Sequence, residues 1–385
     1  MKPLFWIAIA VIAYVYVGYP LLLAAWARLR PRSVRRKPLG PDAPGASIVI
    51  AARNEAHRLP ARVTNLLAQD YPGPIDIIVV SDGSTDATRD ALAPFGHRVR
   101  LVDIPASGKP SALNAGVAAA AHEILVFADA RQAFAPDAVR RLVENFADPA
   151  VGAVTGELLL DCEADAAMPA STVGDSVGAY WRYEKWLRRR ESAVWSTLGA
   201  TGAIYAMRRT LWRPLPSPAL LDDVLAPMRV VLAGARVVFD ERAKAYDRVE
   251  ADAGAERRRK VRTLAGNIQI LGLEPALINP FANRVWLQYV SHKLGRLVVP
   301  YAMALALITN VAIVPADILY VAALVAQIGF YGLAGYGAWL ARQEHGDEAD
   351  QSGRTDRLRV RHDERSGGGG TSRGAAAPAR LAVRQ

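Results

Sequence analysis

A chain of 385 residues has room for one large catalytic domain or two ordinary ones, and its hydrophobic share of 51% directs attention first to membrane segments. A net charge of +10 suits an anionic membrane surface, a nucleic acid or a polyanionic substrate. The lone cysteine, Cys162, excludes a disulfide framework and a Cys-based zinc site, and its neighbours Asp161 and Glu163 disfavour a reactive thiolate.

Leu4 to Trp26 is an uncharged apolar run long enough to cross a bilayer. Ala25-Trp26-Ala27 has the small-x-small form of a signal cleavage site. The run is nevertheless longer than a signal core, and Tyr14, Tyr16, Tyr19 and Trp26 suit interfaces. A retained membrane helix over 1–27 is therefore expected. Arg28, Arg30, Arg32, Arg35, Arg36 and Lys37 follow in an acid-free block, which makes 28–45 a basic juxtamembrane linker.

Between residues 46 and 250 short apolar runs alternate with helical patterns. Strands are predicted at 47–52, 75–82, 99–104, 123–129 and 151–158, and helices around 57–69, 86–94, 110–121 and 136–147. Continuous apolar strands separated by helices imply an α/β fold whose mostly parallel sheet is covered on both faces. Such sheets bind ligands at the carboxyl ends of their strands. Here four successive strand ends carry Arg53-Asn54-Glu55, Asp82-Gly83-Ser84-Thr85-Asp86, Ser107-Gly108-Lys109-Pro110 and Asp129-Ala130-Arg131. Singly each is an ordinary turn or helix cap; Ser107, for example, suits a cap for the helix that Pro110 begins. Together on one rim they indicate a nucleotide site. No G-x-G-x-x-G follows the first strand, and Asp103 stands where a P-loop needs its first glycine, so neither a dinucleotide site nor a P-loop is supported.

Further on, Leu221-Asp222-Asp223 precedes a helical run. Residues 251–296 read as amphipathic, interfacial helices that contain the basic run 257–262. A second apolar region, 297–341, is split by Pro315-Ala316-Asp317 into two spans, about 297–314 and 318–340, with Lys293, Arg296 and Arg342 as flanks. The basic flanks put the central domain and the tail on the cytoplasmic side of an inner, plasma membrane. Residues 342–385 lack an apolar period and are expected to be disordered. Trp181, Tyr183 and Trp186 suit packing better than sugar stacking, and Arg188 to Arg190 suit a solvated face. No nucleic-acid-binding module is visible.

These motifs, in this order across about 46–270, resemble family 2 glycosyltransferases with the GT-A fold, a Rossmann-like architecture, and in particular membrane-bound enzymes of the polysaccharide-synthase kind. The resemblance implies a nucleoside diphosphate sugar as donor, a lipid-linked or saccharide acceptor, and a single displacement with inversion, in cell-surface polysaccharide or glycolipid synthesis. It implies donor binding by Ala52, Asn54, Glu55, Asp82, Lys109, Asp129 and Arg131. Asp223 takes the position of the general base, while Asp222, Arg259 and Arg262 lie on the acceptor and diphosphate side. Mg²⁺ or Mn²⁺ is the cofactor it implies, with Asp129 as ligand, although Arg131 stands where the family has its second carboxylate. The element Arg259-Lys260-Val261-Arg262-Thr263 keeps the arginine of the processive Gln-x-x-Arg-Trp motif and lacks its Gln and Trp. The alternative is a catalytically silent GT-A protein that binds nucleotide or assists a partner synthase.

Overall fold

The computed structural model describes residues 1–160, 172–247, 253–314, 317–337 and 339–340. Cys162, Pro315-Ala316 and the expected disordered tail lie outside the described residues. The chain divides into two units, Met1–Thr309 and Asn310–Gln385.

The first unit is built on an eight-stranded sheet. Its strands are β1 (Ala46–Ala52), β2 (Ile75–Asp82), β3 (Val99–Ile104), β4 (Ile124–Ala128), β5 (Ala133–Phe134), β6 (Val151–Leu160), β7 (Ile204–Arg208) and β8 (Arg236–Asp247). They lie in the order β3-β2-β1-β4-β7-β6-β8-β5. The first four are parallel and in register, Ala46 opposite Ile75 and Ile124, so their carboxyl ends share one rim. β7 runs antiparallel between β4 and β6, and β8 pairs parallel with β6. All five strands read from the sequence are present; β5, β7 and β8 are additions.

Alternation explains why the strands are apolar throughout. Ile48, Ile50, Ile77, Val79 and Val126 enter one core, while Val49, Ile78, Val80, Leu125 and Phe127 enter the other. Successive side chains of a strand point to opposite faces, and here both faces are buried.

The helices of this unit are α1 (Lys2–Ala13), α2 (Tyr19–Leu29), α3 (Leu59–Leu67), α4 (Thr88–Leu92), α5 (Lys109–Ala119), α6 (Ala138–Glu144), α7 (Thr172–Val194), α8 (Asp222–Leu232), α9 (Ala253–Leu273), α10 (Trp286–Gln288) and α11, which starts at Gly295 and ends at Ile313, beyond the unit boundary. A wide π turn at Tyr14–Gly18 joins α1 to α2, and another at Tyr289–Leu294 joins α10 to α11. The two turns meet: Tyr14 Oη lies 2.7 Å from Ser291 Oγ, in a contact where either hydroxyl donates. Three helices, Lys2–Leu29, Trp286–Ile313 and Ile318–Gly337, are long and apolar enough to cross a membrane. The middle one starts well before the expected 297, so Lys293 and Arg296 are inside the helix and not flanks of it.

Tyr183 and Trp186 of α7 pack against a cluster of Tyr19, Leu23, Ala27, Leu187 and Val194. That is the packing role expected of them.

Candidate active site

The strand-end loops tie to one another before they offer anything to a ligand. Asn54 holds a left-handed backbone, φ 56°, which asparagine tolerates better than most residues. Its Oδ1 accepts the Thr85 N–H at 2.8 Å, and its own N–H donates to Ser84 Oγ at 3.1 Å. Asp86 accepts the Ala56 N–H at 2.9 Å. Ser84, Thr85 and Asp86 thus brace the first loop against the second. Gly83 is required here: φ is +61°, and a Cβ would come within 2.6 Å of the Ala106 nitrogen.

Asp82 is buried at the end of β2. Its carboxylate accepts the Ser107 N–H at 2.6 Å and the Gly108 N–H at 3.0 Å. Gly108, not Ser107, is the N-cap of α5, and Ser107 contributes its amide instead. Asp82 therefore positions the loop that delivers Lys109. A carboxylate that accepts two amides is worth about 1.5–3 kcal/mol per bond. Asp82→Ala is expected to release this loop, seen as lost hydrogen-exchange protection at the Ser107 and Gly108 amides and a lower Tm.

Lys109, first residue of α5, points among carboxylates. Its Nζ stands 3.0 Å from Asp129 Oδ1 and 3.4 Å from Asp222 Oδ2. Burial disfavours its charge, but Asp129, Asp222 and Asp223 outweigh that and hold it protonated, above the usual lysine range. The Asp129 main chain is held from beneath, where buried Arg62 donates to its carbonyl at 3.1 Å.

Asp222 and Asp223 open α8 and face different ways. Asp222 is buried toward Lys109. Asp223 lines a cavity of about 170 Å³ with Leu198, Ala200, Thr263, Arg188 and Lys293. The loop 195–203, unread in the sequence, wraps this carboxylate. The Ala200 N–H donates to the Asp223 carbonyl at 2.7 Å, and a Cβ at Gly202 would stand 3.3 Å from Asp223 Oδ2. Burial and the neighbouring Asp222 push the Asp223 carboxyl up to about 6, against the opposing pull of Lys109, Lys293 and Arg188. Tyr205, also unread, is stacked on Phe127 with its hydroxyl buried, and burial plus the charges of Asp222, Asp223 and Asp129 keep that phenol protonated.

Lys109, Asp129, Asp222 and Asp223 are thus brought together. The other candidates are engaged elsewhere. Ala52 is buried in the strand. Glu55 pairs with Arg58 at 2.9 Å. Arg131 pairs with buried Asp247 at the end of β8. Arg262 grips the Leu220 carbonyl at 2.9 Å, just ahead of the two aspartates, and Arg259 is exposed one turn earlier on α9. Thr263, at the tryptophan position of the processive motif, lines the cavity.

A divalent cation fits this donor set poorly. Asp129 is already paired with an ammonium, Arg131 replaces the second carboxylate, and no group of three His, Cys, Asp or Glu side chains suited to a metal occurs among the described residues.

Residues 47–212 match the family model described as "Glycosyl transferase family 2", a stretch that includes Glu55, Asp82, Lys109, Asp129 and Arg131 and stops short of Asp222. An uncharacterized glycosyltransferase of Nostoc sp. is 34% identical over 104 residues, 26% of this chain and 32% of that one, so the match spans about a third of that relative. An N-acetylglucosaminyltransferase of Rhizobium leguminosarum bv. trifolii is 31% identical over 132 residues, 32% of this chain and 71% of that one. Among solved structures, the mannosyltransferase PcManGT from Pyrobaculum calidifontis, in complex with GDP-Man and Mn²⁺, is similar at TM-score 0.66 and 25% identity, covering 87% of this chain and 94% of that one.

Proposed function

The chain belongs to glycosyltransferase family 2, and from that premise we propose that it is an inverting transferase that moves a sugar from a nucleoside diphosphate sugar to a hydroxyl of a lipid-linked or saccharide acceptor. The observation that carries this is Asp223, a carboxylate that lines a cavity at the start of α8 and whose carboxyl is pushed up to about 6.

In the proposed reaction the acceptor hydroxyl gives its proton to the Asp223 carboxylate. Its oxygen bonds to the anomeric carbon from the face opposite the leaving group. The bond from that carbon to the diphosphate oxygen breaks, and the nucleoside diphosphate leaves with the electron pair. A base is most effective when its pKa lies near the working pH, and a value of about 6 leaves most Asp223 ionised at neutrality. The departing diphosphate gains negative charge, and the Lys109 ammonium, fixed before the reaction starts, is placed to counter it. Asp129 and Asp222 hold that ammonium in position.

GDP-Man in the Pyrobaculum calidifontis enzyme and the N-acetylglucosaminyl activity named for the Rhizobium relative support two donors for a first screen. Thr263 in place of a stacking ring favours single additions over polymerisation. The three apolar helices support a multi-pass membrane protein, and the basic block Arg28 to Lys37 at the end of the first of them favours a catalytic domain on the cytoplasmic face of a plasma membrane, in polysaccharide or glycolipid synthesis.

The test is sugar release and transfer by the full chain in lipid nanodiscs, across a donor panel that includes GDP-mannose and UDP-N-acetylglucosamine. For the donor consumed, kcat/KM is expected to fall on acidification with a midpoint near pH 6, because the raised carboxyl keeps its proton below that pH and cannot accept another. Binding of nucleoside diphosphates with no turnover of any donor would instead support a silent nucleotide-binding protein.

A further inference from the structure

The cavity on the far side of Asp223 has two cations whose one part in the transfer step is to pull the Asp223 carboxyl down. Arg188 of α7 and Lys293 of the second π turn both line it, and neither has a carboxylate within ion-pair distance among the described residues. The one bond that Arg188 makes with a described side chain is to a neutral hydroxyl, Thr201 Oγ1, at 2.8 Å. The cavity's other acids are already engaged. Glu191 meets His292 Nδ1 at 2.7 Å and accepts the Tyr19 hydroxyl at 3.0 Å, and Glu184 pairs with Arg296 and lies 3.7 Å from His292 Nε2. Both cations are half-buried, so an anionic group that enters the cavity would meet partly desolvated charges. Lys293 is also brought inward by a π turn, a deviation from regular helix that is frequent at functional sites.

We propose that this cavity binds a phosphate carried by the acceptor, with Arg188 and Lys293 as the residues that select it. The reading rests on Asp223 as the base only in calling the ligand an acceptor. The donor-side groups Lys109, Asp129 and Asp222 are absent from the cavity wall, which separates it from the leaving diphosphate. At about 170 Å³ it is larger than one water needs and smaller than a site for a whole ligand, so it takes a group and not a sugar chain. Its wall is partly the beginning of a helix apolar enough to span a membrane, where the headgroup of a lipid-linked sugar would lie. A soluble phosphosugar carries the same chemistry.

The experiment measures binding by calorimetry to the full chain in nanodiscs, with no donor present, using farnesyl phosphate, farnesol and glucose 1-phosphate as probes. Farnesyl phosphate is expected to bind and farnesol not. Arg188→Gln and Lys293→Gln should each weaken farnesyl phosphate about tenfold to a hundredfold, the loss expected for one charge-assisted contact. The charge-keeping variants Arg188→Lys and Lys293→Arg should retain most of the affinity, and an unchanged Tm shows that the Gln variants are folded. Binding of glucose 1-phosphate alone, with the same dependence on both residues, also supports the phosphate site and assigns it to a soluble acceptor. Equal binding of farnesol, affinity unchanged in both Gln variants, or displacement of the probe by GDP or UDP would overturn the proposal. Failure of transfer chemistry at Asp223 would leave this result standing, since no transfer is measured.

Discussion

Asp223→Asn is expected to reduce sugar transfer by about a hundredfold to ten-thousandfold, the usual contribution of a general base. Each tenfold corresponds to about 1.36 kcal/mol of barrier. The substitution is nearly isosteric, and it keeps the main-chain carbonyl that accepts the Ala200 N–H, so the loop 195–203 should stay in place. Donor affinity should change little, because Asp223 faces the cavity and Asp222 is the aspartate that meets Lys109. The measurement is kcat and KM for the donor that the wild-type chain consumes, with nucleoside diphosphate affinity measured in parallel. Two features then separate a lost base from a damaged site. The acid limb near pH 6 should vanish from the residual activity, and nucleotide affinity should persist. Transfer within threefold of wild type would remove Asp223 from the mechanism.

The parts legible in the sequence were those fixed by local pattern. A parallel strand buried on both faces must be apolar at every position, so β1, β2, β3, β4 and β6 stand out as runs. The polar residues that follow such runs, Asp82, Lys109 and Asp129 among them, are legible at one rim for the same reason. Side-chain destinations across long separations were not legible. Arg131 pairs with Asp247, 116 residues away, a partner that its own motif does not reveal. The Asp82 carboxylate accepts from loop amides 25 and 26 residues on, a tie that no local pattern shows. Arg188 was hidden in a charge run that reads as a solvated face, and a helix turns successive residues about 100° apart. Arg189 is exposed beside Glu241, while Arg188 faces inward. Lys293 reads as a flank because a π turn changes which residues face the same way, and hydropathy carries no sign of such a turn.

Lys109→Met should have the second-largest effect, through two separable routes. The first is loss of the cation to which the proposed reaction assigns the departing diphosphate. Removing one preorganised donor from a site of developing charge costs about a hundredfold to a thousandfold in kcat. The second acts through Asp223. Burial and Asp222 raise that carboxyl, and Lys109 leads the groups that pull it down. Without the ammonium, its pKa must climb above about 6, so at neutral pH more of the base is protonated and unable to act. The acid limb of kcat/KM should therefore move to higher pH, and raising the pH should recover the part of the loss due to protonation but not the part due to the missing charge. Lys109→Arg keeps the charge and should leave the limb near its wild-type position, even if its different shape lowers kcat. A plain hole at position 109 would lower activity equally at every pH. A limb that stays near 6 in Lys109→Met would therefore show that Lys109 and Asp223 titrate independently, and that the carboxylates around the ammonium serve only to hold the loop.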